Sequence, residues 1–240
     1  KAETNGKLGI TLSLGEQTRE TYERWYNAGA HRYLLRIETS DPLLYSRLHP
    51  ADHDFHKRKE CLSILGQCGY YVGTGVMIGL PGQTVAHLAD DILFFKSIDV
   101  DMIGMGPYIP HKDTPMGVSD AGTLFNGETQ LEKALVMIAV TRIFLKDVNI
   151  AATTALQALN DSGREMGLMA GANIIMPNIT DTKFRRGYQL YENKPCLDEN
   201  AAMCRGCLET RISSLGETIG YDEWGDSPHY LARRKESANS

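Results

Sequence analysis

The sequence predicts an α/β protein of the parallel-barrel kind, a partial (β/α)8 barrel, on three observations. Apolar runs alternate between strand-like and helix-like patterns along most of the chain, giving about six strand–helix units. Glycines follow the helical stretches where a left-handed cap is expected, at Gly29, Gly69 and Gly171. One apolar run, Tyr33-Leu34-Leu35, ends abruptly in Arg36-Ile37-Glu38-Thr39. In a parallel barrel, polar residues at the C-terminal end of a strand stand at the mouth where ligands bind.

The elements follow in order. Leu8 to Ser13 reads as a strand, then Thr18 to Ala28 as a helix with Tyr22, Trp25 and Tyr26 on one face. Arg32 to Ile37 is the second strand and His56 to Cys68 the next helix. Tyr70 to Met77 is a third strand, followed by a helix from Val85 to Ser97 that turns Leu88, Ile92 and Phe95 inward. Asp101 to Met105 and the long helix Thr129 to Phe144 form the fourth unit. Asn149 to Thr153 with a helix near Gly163 to Ala170, then Ala172 to Met176, complete the series. The polar tail Arg233 to Ser240 is expected to fray.

A closed barrel needs eight units, so these six correspond to strands 3 to 8, with an open sheet exposing two edges. A doubly wound sheet would need a glycine-rich phosphate turn after its first strand. Leu14-Gly15-Glu16-Gln17 is not one. The expected organisation is a partial barrel over 1–187 and a cysteine-containing extension over 188–240.

Composition sets limits on function. At 240 residues, 42% hydrophobic and 23% charged, the chain can bury one sizeable core. A formal charge of −5 argues against a nucleic-acid-binding surface. No run approaches a membrane span, and no secretory signal is visible. The five cysteines are odd in number and unevenly placed, which is not a secreted disulfide framework, so a reducing cytoplasm is expected.

Cys61 and Cys68 read as packing residues on one side of a helix. Cys196, Cys204 and Cys207 are a different matter. Their x7 and x2 spacing is expected to put two thiols on a tight turn with a third nearby. Such a set can hold a 2Fe–2S or 4Fe–4S cluster with an open or exogenous fourth position. It also suits zinc, with His229 as the downstream candidate for a fourth ligand, and unrelated reactive thiols are the third reading.

At the mouth, an acidic Glu38 can accept hydrogen bonds from ribose hydroxyls or a ligand ammonium, or simply pair with Arg36 or Arg58. A guanidinium such as Arg58 suits bidentate capture of a carboxylate, or solvation at a helix start. Thr11 and Ser13 share one face of the first strand. With Arg36, Thr153, Thr154 and Tyr188 they are candidates for a polar inner wall, or for neutral barrel filling. Met77, Pro107 and Ile109 read by themselves as core and loop apolar residues, and Gly79-Leu80-Pro81-Gly82 as a turn.

Taken as an ordered set, several stretches resemble one family. They are Thr11-Leu12-Ser13-Leu14-Gly15-Glu16, Tyr33 to Thr39, Met77-Ile78-Gly79-Leu80-Pro81-Gly82-Gln83-Thr84 and Gly106-Pro107-Tyr108-Ile109-Pro110-His111. Ala152-Thr153-Thr154-Ala155, Gly171 to Asn178 and Tyr188-Gln189-Leu190-Tyr191 complete it. The chain is similar, from about Leu8 to about Trp224, to the radical S-adenosylmethionine maturases of iron–iron hydrogenase. Methylornithine synthase and biotin synthase relatives are the alternatives within enzymes, and a non-catalytic Fe–S or zinc module the alternative outside them. Cys196, Cys204 and Cys207, with the Tyr188–Tyr191 pair, favour the maturase.

The resemblance implies reductive cleavage of S-adenosylmethionine to a 5′-deoxyadenosyl radical acting on a small-molecule or iron-complex substrate in the barrel, for assembly of the diiron subcluster. It implies that Glu38 contacts the S-adenosylmethionine, that Arg58 holds its carboxylate, that Met77 packs beside it, and that Pro107 and Ile109 shelve the adenine. It places Thr153, Thr154, Tyr188 and Tyr191 at the substrate pocket and makes the three late cysteines an accessory cluster site. Other maturation proteins are the implied partners. The family's Cys-x3-Cys-x2-Cys ligands for a 4Fe–4S cluster do not occur in these residues. The expectation is therefore a portion that is inactive and poorly soluble alone.

Overall fold

The protein is described from a computed structural model, which covers residues 5–118, 126–185, 187, 195 and 200–238. The strands are β1 (Thr11–Leu12), β2 (Arg32–Leu34), β3 (Tyr71–Thr74), β4 (Met77–Ile78), β5 (Met102–Ile103), β6 (Gly106–Pro107), β7 (Asn149–Ala152) and β8 (Ile174–Ile175). Six of them form one parallel sheet in the order β1-β2-β3-β5-β7-β8. Each new strand is laid on the same side of the last. That is the winding of a barrel wall; a doubly wound sheet would reverse direction part-way. The result is the expected partial barrel.

β3 and β5 are shorter than their apolar runs because the sheet kinks midway. β4 and β6 pair with each other as a second parallel ladder, carrying β3 and β5 onward past a break at residues 75–76 and 104–105. Gly75 explains the break. A Cβ there would lie inside van der Waals contact of the Gly104 carbonyl, so only glycine lets the two strands approach. β2 continues past its last regular residue through a bridge from Glu38 to Val76.

Helices cover the outer face: α1 (Arg19–Asn27), α2 (Pro42–Leu48), α3 (Phe55–Gln67), α4 (Val85–Ser97), α5 (Gly127–Leu145), α6 (Thr154–Leu159) and α7 (Gly163–Met169). Thr18, Asp41, Asp54, Thr84 and Asn126 each cap a helix by accepting a backbone N–H through the side chain. The core lies between sheet and helices, where Tyr33, Ile37, Leu65, Phe95, Ile103 and Ile150 are fully buried. β3 and β7 are buried at every position, as expected of a parallel sheet.

α8 (Thr182–Arg185), α9 (Ala201–Ser214) and α10 (Pro228–Ala238) follow. The tail expected to fray is instead helical through Ala238. Arg233 bonds the Asp101 carboxylate at 2.5 Å and Asp99 at 2.8 Å, and Asp101 is fully buried. His229 lies between Asp99 (2.7 Å) and Asp147 (3.4 Å). Arg32 Nε donates to Asp226 at 2.8 Å, so the late segment is tied to the N-terminal ends of the strands. A buried carboxylate facing a guanidinium is the signal that holds this polar segment in place.

Candidate functional site

At the C-terminal end of β2 the chain makes an unusual turn. Glu38 has φ +65°, a left-handed conformation that costs a non-glycine residue roughly 1–2 kcal/mol. Two backbone bonds and one to a side chain hold the turn there: Glu38 N donates to the Gly75 carbonyl (3.0 Å), Met77 N to the Glu38 carbonyl (3.0 Å), and Ser40 N to the Asp91 carboxylate Oδ1 (2.6 Å). Asp91 is wholly buried in α4, and burial pushes its carboxyl up to about 6. Such strain persists where surrounding structure over-determines it, which happens at ligand sites.

The turn brings charged groups together. Arg36 pairs with Glu38 at 3.0 Å and donates to the Val76 carbonyl at 2.9 Å. Arg58, from α3, donates through Nη1 to the Arg36 carbonyl at 2.7 Å and pairs through Nε with Glu16 at 2.9 Å. Tyr45, buried in α2, has its hydroxyl pushed up by burial, and the Arg58 cation beside it opposes that rise. Its ring stacks on His49 at 3.7 Å. Glu38, Arg58 and Met77 thus meet within one hydrogen-bonded array.

Beside the array opens a cavity of about 880 Å³. Arg36 and Met77 form one wall; Pro107 and Ile109, following β6, form another; Thr153 and Thr154 close it at the end of β7. This volume is in the range of small-molecule sites. Thr153 packs against Gly106, and its buried hydroxyl has no hydrogen-bond partner. Gln83 shapes the floor of the Gly79-Leu80-Pro81-Gly82 turn, its side chain accepting from Gly79 N (2.6 Å) and donating to the Met77 carbonyl (3.0 Å). His49 and His111 also line the cavity. The Tyr45 carbonyl makes His49 Nδ1 a donor, while Asp113 N makes His111 Nδ1 an acceptor.

Thr11, on the edge strand β1, and Ser13, just past it, stand apart: both are exposed and neither lines this cavity. Tyr188, Tyr191 and Cys196 lie outside the described residues. Cys204 and Cys207 are not on a tight turn but one helical turn apart in α9. Helix-forming neighbours on both sides let the x2 spacing continue as helix. Cys204 is buried, and its sulfur accepts from Asn178 N at 3.3 Å; Cys207 accepts from Arg211 Nε at 3.4 Å. His229, the candidate fourth zinc ligand, is committed to Asp99 and Asp147. Among the described residues no group of three metal-binding side chains converges. Glu16, Tyr45, His49 and His111 carry no pattern of their own in the sequence; Glu16 and His111 sit in matched stretches, and only the fold shows what they touch.

No family model matches the chain. Its sequence is 48% identical over 218 residues to the [FeFe] hydrogenase maturase subunit HydE of Thermotoga maritima, covering 91% of this chain and 60% of that protein. It is 25% identical over 169 residues to biotin synthase 1 of Corynebacterium diphtheriae, covering 70% of this chain and 46% of that one. The chain therefore spans between about half and three-fifths of the length of these relatives. Its fold matches methylornithine synthase (TM-score 0.69, 21% identity, 90% of this chain and 60% of that one). It also matches HydG, a maturase of the [FeFe]-hydrogenase (TM-score 0.67, 15% identity, 95% and 49%). By sequence, the chain groups with the HydE-type radical S-adenosylmethionine maturases of iron–iron hydrogenase.

Proposed function

We propose that these residues form the S-adenosylmethionine-binding rim and inner wall of a hydrogenase maturase acting on a small-molecule or iron-complex substrate, in concert with other maturation proteins. The observation that carries this reading is the Glu38–Arg36–Arg58 array beside a cavity walled mostly by apolar side chains. The residues fit the molecule. Arg58 offers a guanidinium for its carboxylate, Glu38 an acceptor for ribose hydroxyls, and Pro107 and Ile109 an apolar shelf for adenine beside Met77. When bound, S-adenosylmethionine supplies radical chemistry; this chain's part is to orient it and keep water from the cavity. The lining of Met77, Pro107, Ile109, Ala152 and Met176 serves the second task. Thr153 and Thr154, with Tyr188 and Tyr191, are assigned to the substrate side.

The described residues do not furnish the ligands of a 4Fe–4S cluster. Cys196, Cys204 and Cys207 are assigned to an accessory 2Fe–2S or 4Fe–4S site, supported by two thiols one helical turn apart on α9. Equilibrium binding of S-adenosylmethionine tests the reading. Arg58→Ala and Glu38→Gln should each weaken it about tenfold or more, the worth of a charge-assisted hydrogen bond. Unchanged affinity in both variants would overturn the assignment.

A further inference from the structure

The geometry points to Glu16 as the residue that positions Arg58 for the ligand's carboxylate. This rests on the site reading above and deepens it. Arg58 is held at two points: Nη1 donates to the Arg36 carbonyl at 2.7 Å, and Nε stands 2.9 Å from Glu16 Oε1 in an ion pair. Both partners are largely enclosed, with side chains 15% and 22% exposed, so solvent screens the pair less than it would a surface ion pair.

Glu16 is not there by the accident of a mobile loop. Its neighbours on each side are tied to two fully buried phenols. The Gly15 carbonyl accepts from Tyr33 Oη (2.8 Å) and Tyr22 Oη (3.2 Å); Leu14 N donates to Tyr33 Oη (3.2 Å) and Gln17 N to Tyr22 Oη (3.0 Å). Gly15 takes φ +73°, which delivers the following side chain toward α3. The hydrophobic core therefore holds the loop, the loop holds the carboxylate, and the carboxylate holds the guanidinium. An arginine left unanchored would lose several rotamer degrees of freedom on binding; one anchored beforehand has already lost them. Glu16 also lowers the local positive charge, an effect of opposite sign. The two-point restraint makes orientation the dominant one.

The test compares two ligands on the intact protein. S-adenosylmethionine carries the α-carboxylate; 5′-methylthioadenosine shares the adenosine and lacks the carboxylate. Glu16→Ala should weaken S-adenosylmethionine about tenfold and leave 5′-methylthioadenosine unchanged. Glu16→Gln keeps the side chain's size but removes the charge of the ion pair, and should recover only part of the loss. In an Arg58→Ala background, Glu16→Ala should add nothing. Equal weakening of both ligands would make Glu16 a support of the fold alone and overturn the inference. Tighter S-adenosylmethionine binding in Glu16→Ala would overturn it too, showing that charge competition dominates. Wild-type protein that binds neither ligand overturns the site reading itself; wild-type binding of both with inert Glu16 variants overturns only the role of Glu16.

Discussion

Asp91→Asn isolates one buried charge with a calculable signature. The Asp91 carboxyl is fully buried and rises from an ordinary 3.8 to about 6, chiefly because burial penalises its charge; the bond from Ser40 opposes the rise. The folded state therefore holds the proton more tightly than the unfolded chain. Stability contributed by this group is highest below pH 3.8, falls as pH rises from there to about 6, and is flat above. At about 1.36 kcal/mol per pH unit, the span is worth roughly 3 kcal/mol. Asparagine keeps an oxygen for Ser40 N and removes the charge, but sets an amide nitrogen where Oδ2 has no partner, at a cost of about 1–3 kcal/mol. Net stability at neutral pH should thus change by no more than ~1–2 kcal/mol. The decisive readout is the slope. Urea unfolding between pH 4.5 and 7.5 should show that Asp91→Asn loses stability with rising pH less steeply than wild type. Asp101, also raised to about 6 by burial, contributes equally to both proteins and cancels in the difference. Identical slopes would refute the argument that Asp91 is held as a desolvated carboxylate behind the Glu38 turn.

Three further outcomes follow from the same structure. Gly75→Ala should abolish folding or cost more than ~3 kcal/mol, because its Cβ meets the Gly104 carbonyl; expression and thermal unfolding report it. Arg233→Met leaves buried Asp101 without its guanidinium and should destabilise by about 3 kcal/mol at neutral pH, with recovery on acidification as the carboxyl protonates. Thr153→Val removes a buried hydroxyl that has no partner and should raise stability by up to ~1 kcal/mol in chemical denaturation; a loss of that size would mean the hydroxyl is satisfied.

The winding of the sheet was legible because parallel strands buried on both faces read as unbroken apolar runs separated by helices. Arg36 and Glu38 stood out because their charges interrupt such a run at its C-terminal end. The α2 helix was announced by Asp41-Pro42, an N-cap followed by a proline in the first turn, but its shortness hid it. The breaks in β3 and β5 were not legible, since they arise from the contact of Gly75 with Gly104, two residues far apart in the chain. The Arg58–Glu16 pair was hidden for the same reason. The Cys204-x2-Cys207 spacing fits a tight turn and a helical turn equally, and the helix formers around it decided for the helix. Polarity misled at Arg233, where a buried acid recruits the side chain.

A crystal structure of the protein grown with S-adenosylmethionine tests the central assignment most directly. The ligand should lie with its adenosine between Met77 and Ile109, its ribose hydroxyls on Glu38 and its carboxylate on Arg58. Density for the ligand elsewhere, with Glu38 still paired only to Arg36, would contradict it.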